Sequence, residues 1–231
     1  MRAGRILAID SSGTNALVTL GEADGTLLAE RRWVAGYRHG EELLTQIDQM
    51  LTATGVALSG LSGIVVGTGP GAFTGLRVGL ATAKGLAHGL GISIAGVATS
   101  EALLLAASLA GPIEGTKAAL LLPAGPSDRV VVIDGGARLL RGGEEPELDP
   151  GTTLVAVDLP NRAPAQAQAL GLTAEAGLAV ALLRLGVARL AAGGDDVSRL
   201  VPEYVTLPRG VRAVLPDEGV ELSGGKPGPR P

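Results

Sequence analysis

Three short segments of this chain carry residue types that can do chemistry. The first is Asp10-Ser11-Ser12, a carboxylate and two hydroxyls closing an aliphatic run. Such a turn can receive a phosphate or a cation, and equally its carboxylate can cap the backbone N–H groups of a strand-ending turn. The second is Gly67-Thr68-Gly69-Pro70-Gly71-Ala72-Phe73-Thr74-Gly75-Leu76-Arg77. Its glycines open backbone conformations closed to residues with a Cβ, and Pro70 fixes one φ between two of them, so the segment has little freedom to lose. Thr74 is placed as N-cap of a helix beginning at Gly75, whose free N–H groups can receive an anion. The Gly-Lys-Ser/Thr ending of a P-loop is missing, so a tight turn and a phosphate cradle both fit. The third is Asp134-Gly135-Gly136, comparable to a second phosphate loop; Val130 to Ile133 before it and Leu139-Leu140 after it favour an ordinary hairpin.

Other reactive residue types are sparse. The two histidines, His39 and His88, fall on different elements, and no His-x-x-x-His pair exists; His39 reads as a pre-helix surface residue and His88 as a solvated helical one. With no cysteine, disulfides, thiolate catalysis and Cys-ligated metal are excluded. Glu144-Glu145 and Asp195-Asp196 sit in polar, Gly-rich surroundings that would not raise a carboxylate pKa. Arg31, Arg32 and Arg38 form a local basic group suited to a nucleic acid, an acidic partner or a charged sheet edge. The formal net charge of −4 and pI near 5.3 provide no basic field of the kind a dedicated nucleic-acid binder uses.

The elements that must position these residues follow from hydrophobic period and turn chemistry. Runs at Arg5 to Asp10, Asn15 to Leu20 and Thr26 to Val34 read as an antiparallel meander, with Asp24-Gly25 as a hairpin signal that wants positive φ at both turn positions. Glu41 to Thr54 places Leu43, Leu44, Ile47, Met50 and Leu51 on one helical stripe, and Gly55 follows as a natural stop. Ile64 to Val66 reads as a buried strand, Gly75 to Gly89 as a helix, and Ile92 to Val97 as another strand. Thr99 or Ser100 caps a helix to about Leu109, before Gly111-Pro112 breaks the pattern. On the second helix Gly75, Gly79, Ala83 and Ala87 recur every fourth residue as a narrow stripe of small side chains, while Arg77, Lys84 and His88 share another face. The stripe either seats the helix on its own sheet or receives a helix of another protein.

Residues 1–110 are therefore expected to form an α/β lobe of ribonuclease-H-like order, and 111–214 a smaller second α/β lobe. The second lobe has strands at Ala118 to Leu122, Arg129 to Asp134 and Leu154 to Val157 and a long Ala/Leu helix from about Ala174 to Ala192. Residues 215–231 are polar, rich in Gly and Pro, and expected to be disordered. The whole reads as a two-lobed fold of the actin/Hsp70/sugar-kinase superfamily. Only Trp33, Tyr37, Phe73 and Tyr204 are aromatic, so the core must be aliphatic. No charged-then-apolar leader opens the chain, and the apolar runs are broken before the ~20 residues of a membrane span; the expectation is a soluble cytoplasmic protein.

The segment Gly67 to Arg77, continued by Val78-Gly79 and by Ala83-Lys84-Gly85-Leu86-Ala87, closely resembles the signature of the bacterial TsaB (YeaZ) family. Ile6-Leu7-Ala8-Ile9-Asp10-Ser11-Ser12, His39, Gly96-Val97-Ala98-Thr99-Ser100-Glu101-Ala102-Leu103 and Pro202-Glu203-Tyr204 support the resemblance, which is dense over residues 5 to 105. Leu122-Pro123-Ala124-Gly125-Pro126-Ser127-Asp128-Arg129 departs from the Asp-Ala-Arg stretch usual in the family. The resemblance implies a non-catalytic scaffold that pairs with TsaD, the paralogue that carries the metal and transfers threonylcarbamoyl to adenosine 37 of tRNA. It places the contact on the first two helices, with the ATPase TsaE docking on the pair and tRNA engaged only by the complex. The partner-binding candidates are Leu43, Leu44, Ile47, Met50, Leu76, Gly79, Leu80, Ala83, Lys84 and Ala87; Asp10, Ser11, Ser12, Gly69 and Gly71 are candidates for a vestigial nucleotide site. No cofactor of its own is expected, ATP and metal belonging to the partners. An independent kinase of the superfamily and a self-associating homodimer are the alternatives; the kinase wants two phosphate loops and an acidic base, of which one weak loop is present.

Overall fold

In a computed structural model of the chain, residues 4–35, 39–111 and 117–205 are described. Three strands, β1 (Arg5–Asp10), β2 (Asn15–Glu22) and β3 (Leu27–Val34), open the fold as an antiparallel meander. Helix α1 (His39–Thr54) crosses to β4 (Leu61–Gly69), helix α2 (Phe73–Leu90) crosses to β5 (Ser93–Ala98), and α3 (Thr99–Ala110) follows. Strands β1, β4 and β5 run parallel, which requires such crossover helices, and the sheet order is β3-β2-β1-β4-β5. This is the ribonuclease-H-like arrangement of the actin/Hsp70/sugar-kinase superfamily, as the element order implies.

Side chains alternate across the sheet with period two. Leu7 and Ile9 of β1 pack under α1 and α2 with Leu43, Ile47, Met50 and Leu80, while Ile6 and Ala8 face α3 and the last helix, α4 (Ala165–Ala191). The second sheet, ordered β8-β7-β6-β9, comprises β6 (Lys117–Pro123), β7 (Arg129–Ile133), β8 (Gly136–Leu140) and β9 (Thr152–Ala156). Its Leu120, Leu122, Val130, Val132, Val155 and Val157 join the same core as Ile6, Ala8 and Val65, because α3 and α4 lie between the two sheets.

Helix α4 starts at Ala165, well before the expected Ala174. Gly171 sits inside the helix, where the backbone of β9 passes against it: a Cβ there would stand 1.8 Å from the Ala156 carbonyl oxygen. By length and composition α4 is apolar enough to cross a membrane, and its Ala174, Leu178, Ala181 and Leu182 are instead buried between the sheets. The Asp134-Gly135 pair has positive φ at both positions, 50° and 78°, and joins β7 to β8 as a hairpin. At Asp24-Gly25 only the glycine is left-handed, at 88°; the Asp24 carboxylate accepts from the Thr26 N–H, so the loop differs from the tight two-residue turn. Arg38 and residues 215–231 lie outside the described residues.

Candidate functional site

The sequence motifs meet at the C-terminal ends of β1 and β4. Asp10 closes β1 and is 2% exposed. Its Oδ1 accepts from the Ser12 N–H at 3.0 Å and the Ser12 hydroxyl at 2.7 Å, and its Oδ2 accepts from the Thr99 hydroxyl at 2.6 Å. Thr99 Oγ1 in turn accepts from the Gly69 N–H at 3.2 Å. The Ser11 hydroxyl donates to the Gly75 carbonyl at 2.8 Å, and the Ala72 N–H donates to the Ser12 carbonyl at 2.6 Å. Burial pushes the Asp10 carboxyl above the usual carboxylate range, opposed by the hydrogen bonds from Thr99 and Ser12.

The Pro202-Glu203-Tyr204 segment fastens to the same place. Glu203 donates its N–H to the Thr68 carbonyl at 2.8 Å and accepts from the Thr68 hydroxyl at 2.7 Å. Arg77 donates from Nε to the Tyr204 hydroxyl at 2.9 Å while its guanidinium lies 3.9 Å over the Phe73 ring, which packs 5.0 Å from the Tyr204 ring.

Several expectations change once these contacts are traced. Helix α2 begins at Phe73 rather than Gly75, with Ala72 at the N-cap and no side-chain cap, because Gly67 to Gly69 extend β4 and shorten the loop to 70–72. Thr99 does not cap α3 either; its hydroxyl is committed to Asp10 and Gly69. Of the vestigial nucleotide set, Asp10, Ser11, Ser12, Gly69 and Gly71 do converge, but the Ser12, Gly69 and Ala72 N–H groups go to protein acceptors. Gly71 is there for contact, since a Cβ would meet the Ser12 carbonyl oxygen at 2.2 Å. Arg31 and Arg32 are not one cluster: neighbours on a strand point to opposite faces, so Arg31 reaches Gln46 and Gln49 of α1 while Arg32 reaches Glu30 and the Glu175 and Ala176 carbonyls of α4.

The partner-binding set divides sharply. Leu43, Ile47, Met50, Leu76, Gly79, Leu80, Ala83 and Ala87 are all buried within this chain. The apolar stripe of α1 and the small-residue stripe of α2 face the sheet, since that is the large apolar surface available to them. Lys84 is half-buried, and Leu44, 57% exposed, points outward. The outer surface of α1 and α2 includes Leu44, which the sequence places on the α1 stripe, together with Leu86, Gly85 and Gly89, which lie outside the α2 stripe. Leu44, Leu51, Val56, Leu58 and Leu86 edge a groove of about 540 Å³, and Gly85 and Gly89 lie bare beside it on α2.

A second cavity, of about 590 Å³, opens between the two sheets next to Asp10. Asp158, at the end of β9 with φ 55°, accepts the Thr14 N–H at 2.9 Å, and Glu175 of α4 also faces the space. Neither residue was marked from the sequence, where Asp158 and Thr14 stand 144 positions apart and no motif links them. His88 is exposed, and nothing is described of the His39 side chain. Among the described residues no group of three or more His, Cys, Asp and Glu side chains is arranged to hold a metal.

The family model described as TsaD, tRNA N6-adenosine threonylcarbamoyltransferase, matches residues 33–181. The tRNA threonylcarbamoyladenosine biosynthesis protein TsaB of Escherichia coli is 37% identical over 95 residues, 41% of this chain and 40% of that protein. The solved structure of YeaZ from Pseudomonas aeruginosa superposes with a TM-score of 0.64 at 25% identity, covering 87% of this chain and 99% of that one. The chain belongs to the family that this TsaD model describes, with TsaB (YeaZ) proteins among its homologues. A tRNA N6-adenosine threonylcarbamoyltransferase of Geotalea uraniireducens is 41% identical over 92 residues, 40% of this chain and 27% of that enzyme. The chain thus spans less than half the length of the curated relatives it matches.

Proposed function

We propose that this chain is a non-catalytic scaffold in tRNA threonylcarbamoyladenosine biosynthesis, binding TsaD through the outer surface of α1 and α2. The observation that carries the reading is that surface: Leu44 and Leu58 stand 57% and 41% exposed beside an apolar groove, and two glycines leave the α2 backbone open to close approach. The family motifs support it from the other side. They form a hydrogen-bonded network that holds α2 in place, with the Asp10 carboxylate and the Ser12, Gly69 and Ala72 N–H groups turned to protein partners. In this reading TsaD and TsaE supply ATP and metal, tRNA is met by the assembled complex in the cytoplasm, and the same α1–α2 surface pairs copies of the chain when TsaD is absent.

The test is a reconstitution of TsaD, TsaE, threonylcarbamoyl-adenylate and tRNA with and without this chain. Modification that depends on the chain is expected; equal modification without it overturns the scaffold role. Replacing Leu44 with Asp leaves the core untouched and is expected to weaken TsaD binding roughly tenfold or more, the range of an anchor residue at an interface. Unchanged binding moves the interface elsewhere.

A further inference from the structure

The cavity between the two sheets lies apart from the α1–α2 surface and borders the motif network at Asp10, Ser12, Gly71 and Thr99. Its volume, about 590 Å³, suits a small organic molecule. Leu103, Leu122, Val157 and Leu178 give it apolar walls from α3, β6, the end of β9 and α4, and Phe73 borders it. Three carboxylates, Asp10, Asp158 and Glu175, face the same space, and among the described residues no Lys, Arg or His lines it.

The carboxylates are not equivalent. Both oxygens of Asp10 are engaged by Ser12 and Thr99, so it contributes charge without a free acceptor. Asp158 gives Oδ2 to the Thr14 N–H. Glu175 is half-buried, and its carboxyl is pushed above the usual range first by burial and then by the negative charge of Asp158, against a hydrogen bond from Asn15 and the charge of Arg32. Arg32 itself is tied to Glu30 and to the carbonyls of Glu175 and Ala176, and does not line the cavity. Two acidic groups that repel each other across an apolar space lack a positive charge between them. A phosphate there would meet negative charge from both sheets, and the Ser12, Thr14 and Ala72 N–H groups at its edge already donate to protein acceptors.

We infer that the cleft binds a compound carrying a protonated amine, amidine or guanidine on a compact apolar body, with the cation between Asp158 and Glu175 and the body against Leu103, Leu122, Val157 and Leu178. The cation relieves the carboxylate repulsion, and the apolar walls strengthen the pairing by excluding water. This site is independent of the TsaD-binding surface.

Benzamidine is a suitable probe, with neutral benzamide as its near-isostere and benzoate and ATP as anionic controls, each titrated calorimetrically into the full chain at neutral pH. Benzamidine is expected to bind, benzamide roughly tenfold or more weakly, and benzoate and ATP not measurably. D158N and E175Q should each weaken benzamidine roughly tenfold while leaving the circular dichroism unchanged. Asn tolerates the left-handed backbone of position 158 as Asp does, so D158N decides the matter if E175Q fails to fold. Equal binding of benzamide, preference for ATP, no binding of benzamidine, or benzamidine binding untouched in D158N overturns the inference.

Discussion

Helix α2 carries two rows of small residues at the same fourfold spacing, and they meet opposite surroundings. The inner row, Gly75, Gly79, Ala83 and Ala87, lies on the sheet: a Cβ at Gly79 would stand 2.2 Å from Ser11 Oγ and 3.7 Å from the Ile9 side chain. The outer row, Ala81, Gly85 and Gly89, is exposed, and a Cβ at either glycine meets nothing within 4 Å. The inner row is explained entirely by this chain, since small residues let the helix sink against β1. The outer glycines each weaken the helix by roughly 0.5–1 kcal/mol relative to alanine and gain no packing here. Under the proposed TsaD-binding reading, that outer side receives another backbone. Residue type and spacing are the same in both rows, and only the fold separates them.

The largest expected effect breaks the inner row. Gly79→Leu forces a branched side chain into the contact with Ser11 and lifts α2 from β1, at a cost of about 3 kcal/mol or more. For a chain of this size that lowers the thermal midpoint by roughly 6–12 °C or prevents folding, as calorimetry would show. A soluble variant with an unchanged midpoint would mean that α2 is not seated on the sheet by this row. Next in size is the outer row: Gly85→Leu with Gly89→Leu should leave the midpoint equal or raised, and weaken TsaD capture by roughly tenfold or more in surface plasmon resonance. Loss of fold in this pair, or full retention of TsaD affinity, would erase the contrast between the two rows.

Much of the first lobe was legible because its signals are local. The strands of the meander, α1, β4, α2 and β5 follow from period and punctuation within windows shorter than twenty residues. The inner stripe of α2 was equally legible as a pattern, but its destination was not, since docking on the chain's own sheet and docking on another protein ask for the same residues. Thr74 and Thr99 show a second limit: each stands where a capping hydroxyl belongs, and at Thr99 a buried carboxylate on another strand won the hydroxyl. The basic group at Arg31 and Arg32 dissolves once strand alternation is applied. Asp158 and Glu175 left no local signal at all, because their meaning arises only when β9 and α4 bring them beside the first hairpin. The start of α4 at Ala165 rather than Ala174 has a related cause, since the fit of Gly171 against the backbone of β9 exists only in the fold.

A smaller effect probes the polar knot at the inner end of α2. Because burial raises the Asp10 pKa, the folded chain holds that proton more tightly than the unfolded one. Asp10 therefore supports folding most below the ordinary carboxylate range, and its contribution falls as pH rises through that range toward the raised folded value. Asp10→Asn keeps an acceptor for the Ser12 N–H and removes the titration. The midpoint of the native chain relative to this variant should fall as pH is raised from about 3 to about 7. Comparing the two proteins at each pH cancels the opposite trend of Asp24, Glu144, Asp149 and Asp196, whose pKa values are lowered by local hydrogen bonds. A difference that grows with pH would show that Ser12 and Thr99 hold Asp10 as a stabilised anion, making the knot an anion trap rather than a buried acid.

The smallest effect separates the knot from the outer surface. Tyr204→Phe removes the hydroxyl that accepts from Arg77 and keeps the ring beside Phe73, while Arg77 retains its stacking on Phe73. Tyr204 is 38% exposed, so water replaces much of the lost bond and the cost should be about 0.5–1 kcal/mol, or roughly 1–4 °C in midpoint. Affinity for TsaD should not change, because this contact fastens the C-terminal stretch to the start of α2 and lies away from Leu44 and Gly85. If affinity falls by more than the stability loss accounts for, the Phe73-Arg77-Tyr204 stack belongs to the interface. The partner would then grip both the fastened end of α2 and its bare side, and the division between the two rows would hold only for the middle of the helix.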